Sequence, residues 1–246
     1  MAHECVVKNS YFPNKLIRGL NEQRNDSRHC DVTVVVGEEM FPAHKAVLCA
    51  ASKYFDTMFS SSFIEAISSE VKIDGNGDAF RRLLDFAYSG ELRLTLEVYM
   101  DVLELAGYLQ ISHALKLCAS GLTKLSRDGG VCMDVALRAG VFAIKYEVDC
   151  EDLERVANDL LIPHFDELLK TEAFLTDLTC EHLKHLLCRD DLMVLSEDLC
   201  EDKVSLEPGE ETLIGKGHSY LVRPYRDVLP ILSGLLRRPN LTVKPF

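Results

Sequence analysis

Four side chains of metal-ligand type fall close together in the last third of the chain: Cys180, His182, His185 and Cys188. On one helix of 3.6 residues per turn they point at roughly 0°, 200°, 140° and 80°, so they do not converge on a tetrahedral ion. Asp74, Asn76 and Asp78 copy the first ligands of a calcium loop, yet Ala79 stands where such a loop needs glycine and Asp85 where it closes with Glu. A turn with helix-capping side chains is the expected reading there. His44 has the chemistry of a general base, but no Ser or Cys nucleophile with a third orienting group is suggested near it, and a structural, hydrogen-bonded histidine is expected. No Gly-rich phosphate loop, G-x-S-x-G elbow or H-E-x-x-H occurs. The chain is therefore expected to be no enzyme and to hold no cofactor and no metal.

Composition points to other proteins as partners. With 246 residues, 47% of them hydrophobic, the chain has room for one large or two ordinary domains with a proper core. A formal charge of −12 argues against a nucleic-acid surface, which needs clustered Lys and Arg. No apolar run approaches the roughly 20 residues needed to cross a bilayer, and the N-terminus has no apolar core of signal-peptide length. No membrane contact is expected, and the cytoplasm or the nucleus is the expected location. Nine cysteines with no C-x-x-C pair read as reduced core thiols.

The elements that must position any binding surface follow from periodicity. Phe12, Leu16 and Leu20 repeat every four residues in a short N-terminal helix, ended by the polar segment 21–28. The β-branched run 31–36, closed by Gly37, suits a buried strand, with a turn over Glu38, Glu39 and Met40. Pro42 fits the edge of a helix carrying Val47, Leu48 and Ala51, and Ser52 caps a second that carries Phe55, Met58 and Phe59. Phe80, Leu83, Leu84, Ala87 and Tyr88 mark one of the clearest helices. Segments 96–107 and 114–125 are helical, the second with Ala114, Leu117, Cys118, Gly121, Leu122 and Leu125 on one face. Residues 126–130 break the pattern, and everything after 131 is helical, with Leu153, Val156, Ala157, Leu160 and Leu161 as a stripe.

Residues 29–59 carry more than an element order. The Cys30-Asp31-Val32 start, Phe41-x-Ala-His-Lys45, Leu48 three residues past that Lys, and Ser52-x-Tyr-Phe-x-x-Met-Phe59 together resemble the opening of a BTB (POZ) domain. Residues 158–175 and 190–197 resemble the BACK domain that follows BTB in kelch-like proteins. The likeness weakens beyond 197, where the family carries a Trp-bearing helix and this chain has no Trp at all. The resemblance implies an α+β BTB/POZ domain with an N-terminal dimerisation helix over 1–126, an all-α BACK-like helical domain over 131–197, and a divergent C-terminal region over 198–246.

It also implies a function. Phe63, Ile64 and Glu65 match the hydrophobic-x-Glu motif by which BTB proteins bind cullin-3, an aromatic anchor beside a carboxylate that sets register. Tyr88 falls where relatives supply a neighbouring contact, though core packing explains it equally well. Phe12, Leu16 and Leu20 are the expected dimer interface, joined by Asp31 and Lys45, which match a charged pair near the two-fold axis of many BTB dimers. A strand-start and helix-start pair within one protomer is the other reading of Asp31 and Lys45. The implied function is a dimeric adaptor-type subunit of a cullin-3 RING ubiquitin ligase without the kelch substrate reader. Two alternatives stay open: a dimerisation module that pairs with full-length kelch-like proteins without cullin, and a co-repressor scaffold.

Overall fold

A computed structural model of the chain describes residues 7–60, 68–130, 132–146, 150–164 and the single positions 168, 177, 182 and 186. The chain divides into two compact units, one of residues 1–130 with 145–153, the other of 131–144 with 154–246.

The first unit is built on a three-stranded sheet of order β2-β1-β3. Strand β1 (Val32–Val36) buries Val32, Val34 and Val36 and leaves Thr33 and Val35 half-exposed, the period of two that a half-buried pleat requires. Gly37, at φ 62°, makes the tight turn into β2 (Glu39–Ala43), which runs antiparallel with Val34 opposite Phe41. Pro42 therefore lies inside a strand, not at a helix edge. It is tolerated because β2 is an edge strand.

Helix α2 (Lys45–Ala51) starts two residues later, and Ser52 separates it from α3 (Lys53–Ser60). The Ser52 hydroxyl accepts the Phe55 N–H (3.2 Å) and donates to the Leu109 carbonyl (2.6 Å), so one buried oxygen starts α3 and ties it to a distant segment. The chain then returns as β3 (Glu70–Ile73), parallel to β1 with Val71 beside Val34. A parallel return needs a crossover, and α2 and α3 lie within it.

Asn76 caps α4 (Gly77–Ser89), its side-chain oxygen accepting from the N–H groups of Asp78 (2.8 Å) and Ala79 (3.3 Å). Phe80, Leu83, Leu84 and Tyr88 are buried along it, and Phe80 meets Phe41 edge to face at 5.0 Å. Helices α5 (Tyr99–Tyr108) and α6 (Ser112–Gly129) complete the unit. Residues 126–129, expected as a break, continue α6. Its buried face carries Ala114, Leu115, Cys118, Ala119 and Leu122, while Leu117 is 38% exposed. Tyr99, wholly buried, donates its hydroxyl to the Cys118 carbonyl (2.8 Å).

Helices α7 (Met133–Tyr146) and α8 (Glu151–Leu161) follow, then a 3-10 turn (Ile162–His164). In the second unit Gly140 sits where an added Cβ would lie 2.6 Å from the His182 ring and 3.4 Å from the Ala157 Cβ. Only glycine permits that approach without a shift of the neighbours.

Candidate protein-interaction surface

Helix α1 (Phe12–Asn25) is the part of the first unit that a lone chain leaves unfinished. It buries no residue. Val7 (89% exposed), Tyr11 (70%), Phe12 (57%) and Leu16 (56%) put large apolar groups into solvent. At 100° per residue Phe12 and Leu16 share one outer face, while Ile17 and Arg24, both half-buried, lie about 110° away on an inner one, with Leu20 between them. The helix is longer than expected, because Asn21 to Asn25 continue it rather than ending it.

Arg24 explains the extra turn. Its guanidinium donates to Asp85 of α4 (2.6 Å), to Asn21 (3.1 Å) and to Asn25 (3.2 Å), with its Cζ 4.9 Å above the Tyr88 ring. A buried planar cation between a carboxylate and an aromatic face needs the helix to stay wound at that point.

Tyr88 lies beneath it, 1% exposed. Its hydroxyl accepts the His44 N–H (2.9 Å) and sits 2.7 Å from His44 Nδ1. Burial pushes the phenol's pKa up, and the His44 hydrogen bond and the Arg24 charge oppose that shift. A group so enclosed is a core group, and the expectation that Tyr88 stands at a surface contact is corrected. His44 itself is buried and bonded to Tyr88, with Nε2 unpartnered among the described residues, so it serves the packing at the start of α2.

The Asp31 carboxylate accepts the Lys45 N–H (2.7 Å) at the first turn of α2, which is a contact within one protomer. The Lys45 Nζ lies 5.0 Å over the Phe59 ring. Phe59 stacks on Phe55 at 5.8 Å, and α3, which carries both, ends at Ser60. Phe63, Ile64 and Glu65 lie outside the described residues.

Of the ligand-like groups, His182 is wholly buried, with Nε2 3.0 Å from Asn158 Oδ1, while Cys180, His185 and Cys188 lie outside the described residues. Asn76 caps α4 and donates to Asp101 (2.7 Å), and Asp78 pairs with Arg81 (3.1 Å) and Arg82 (3.0 Å). Among the described residues no three His, Cys, Asp or Glu side chains gather as a metal site, and no helix is long and apolar enough to cross a membrane.

Comparison with known proteins gives this surface its context. A family model described as BTB/POZ domain matches residues 20–126, and one described as BTB And C-terminal Kelch matches 138–204. Kelch-like protein 7 of Rattus norvegicus is 33% identical over 193 residues, 76% of this chain and 32% of its own length. Kelch-like protein 2 of Rattus norvegicus is 31% identical over 197 residues, 80% of this chain and 32% of its own. Among solved structures, the BTB domain of zebrafish PATZ1 is 33% identical and covers 49% of this chain and 99% of its own, with a TM-score of 0.45. Sheet, helices and matches define an α+β BTB/POZ domain followed by a helical BACK segment. The chain is a BTB-BACK protein whose relatives over that region are Kelch-like proteins. It spans about a third of the length of those curated relatives.

Proposed function

We propose that this chain is a homodimeric adaptor-type subunit of a cullin-3 RING ubiquitin ligase, pairing through α1 and engaging cullin-3 through Phe63, Ile64 and Glu65. Proteins of its family act as adaptors rather than as enzymes, and the cullin complex supplies the catalysis. The observation that carries the reading is the outer face of α1, where Phe12 and Leu16 stay exposed on a helix that buries nothing in its own protomer, with Val7 and Tyr11 exposed just ahead of it. A second copy of the same face is its natural cover, since a two-fold interface is self-complementary. Asp31 and Lys45, which the BTB resemblance sets near the two-fold axis of such dimers, already meet within one protomer, so they stay outside the proposed contact. Cullin binding rests on the hydrophobic-x-Glu motif that follows α3 within the BTB match. The exposed face equally suits pairing with a full-length kelch-like protein in the absence of cullin, and binding to cullin-3 separates the two readings.

The test is calorimetric titration of the N-terminal domain of cullin-3 into this chain and into Phe63→Ala. Binding by the parent, weakened by about 2 kcal/mol or more in a folded Phe63→Ala variant, supports the adaptor reading. A parent that binds no cullin leaves only the dimerisation module, and equal binding by the folded variant moves the cullin site away from Phe63.

A further inference from the structure

Helix α1 leaves the apolar side chains of Phe12 and Leu16 exposed in its own protomer. It buries no residue, and its half-buried positions are Ile17, Gly19, Leu20, Asn21, Gln23 and Arg24, most of them in its C-terminal half. A helix of 14 residues is marginal by itself in water, so its orientation depends on what fixes it to the domain. The strongest fixed point is Arg24, in the last turn. Its side chain is 10% exposed, against 52% for its partner Asp85. Its hydrogen bonds tie it back to Asn21 and Asn25 of its own helix and forward to α4, and the Tyr88 ring lies under its Cζ. Tyr88 is in turn locked by two contacts to His44, at the entry to α2.

We infer that Arg24 is a positioning residue for dimerisation: a latch that sets the angle at which α1 offers Phe12 and Leu16 to the partner, through Asp85 and the Tyr88 face. The inference rests on the dimer reading above. The latch acts without touching the partner. It lies about 12 Å along the helix from Leu16, more than two turns from the exposed face it orients. Arg suits the role where Lys does not, because a planar fork can bond a carboxylate edge-on and still lie flat on a ring.

The experiment compares the parent, Arg24→Ala, Arg24→Lys and Asp85→Asn by sedimentation over a dilution series and by amide hydrogen exchange. Arg24→Ala is expected to raise the dimer dissociation constant about tenfold and to speed exchange across 12–25, with protection of α4 and α5 unchanged. Arg24→Lys and Asp85→Asn should fall between it and the parent. A merely structural role would instead lower protection throughout the BTB domain or leave α1 as it was. Should Arg24→Ala not fold, the graded loss in Asp85→Asn carries the same test. A dissociation constant within twofold of the parent's in Arg24→Ala and Asp85→Asn alike overturns the latch. If the parent is a monomer, the dimer reading fails instead, and exchange over 12–25 in the variants still decides whether Arg24 holds α1.

Discussion

The Tyr88 hydroxyl has two duties, both toward His44, and neither can pass to water because the ring is 1% exposed. Tyr88→Phe keeps the ring under Arg24 but leaves the His44 N–H without an acceptor, and an unmet buried donor costs about 1–3 kcal/mol. Urea melts should show that loss in the midpoint with the slope unchanged; a midpoint equal to the parent's would mean the hydroxyl is dispensable. Cys118 gives a pH signature. Burial, and next the nearby Cys150, push its thiol from 9.0 up to about 12. The folded state therefore keeps the proton while the unfolded chain releases it. The stability tied to that proton is fully present below pH 9 and is lost as pH rises towards about 12, at up to about 1.4 kcal/mol per pH unit. Burial raises Tyr99 in the same direction, with its own loss setting in above its ordinary 10.0. Between pH 9 and 10 Cys118→Ala should flatten the fall in stability, and equal slopes in parent and variant would remove Cys118 from the account. Sequence could place Tyr88 on the apolar stripe of a helix but could not separate a core phenol from a surface one. That distinction was made by His44, 44 positions away in the chain.

Helix α1 shows the same limit for an element. The four-residue repeat of Phe12, Leu16 and Leu20 was legible and correctly marked a helix with an apolar face. Its C-terminal end was not, because Asn21 to Asn25 is polar and carries no apolar stripe, while the contact of Arg24 with α4 ties that turn to the domain. Pro42 was misplaced for a related reason. Its ring fits either a first helical turn or an edge strand, and β2 being at the edge of the sheet is a fact of topology. On α6 the expected face has Ala114, Cys118 and Leu122 buried, but its flank is Leu115 and Ala119, whereas Leu117 faces outward. The opening of α3 was read correctly, since a Ser at an N-cap states its purpose locally. For α1 the expected outcome of Phe12→Glu combined with Leu16→Glu is a folded monomer, because both side chains are more than half exposed in one protomer. Light scattering should give one chain mass with the parent's far-UV circular dichroism. A variant that still dimerises would place the interface elsewhere than this face.

At the scale of the whole molecule, the consequence of the proposed adaptor role follows from what these residues include. The BTB match ends at 126 and the BACK match at 204, and the residues after 204 are fewer than one kelch repeat of about 50. In the proposed role, these residues would offer a dimer face and a cullin motif, with too few residues after the BACK match for a kelch repeat. Mass action sets the outcome in a mixture. At equal affinity, each copy of this chain on cullin-3 displaces one full-length kelch-like protein, and a mixed dimer halves the readers on each assembly. In a reconstituted ubiquitylation reaction containing a full-length kelch-like protein, cullin-3 and its RING partner, adding this chain should slow substrate modification in a dose-dependent way. Extra cullin-3 should relieve competition for cullin, whereas relief only by extra kelch-like protein points to mixed dimers. The Phe63→Ala variant should lose the first kind of inhibition and keep the second. No slowing at a large excess of this chain would contradict the adaptor reading. Substrate modification supported by this chain alone would show that residues 205–246 read a substrate themselves.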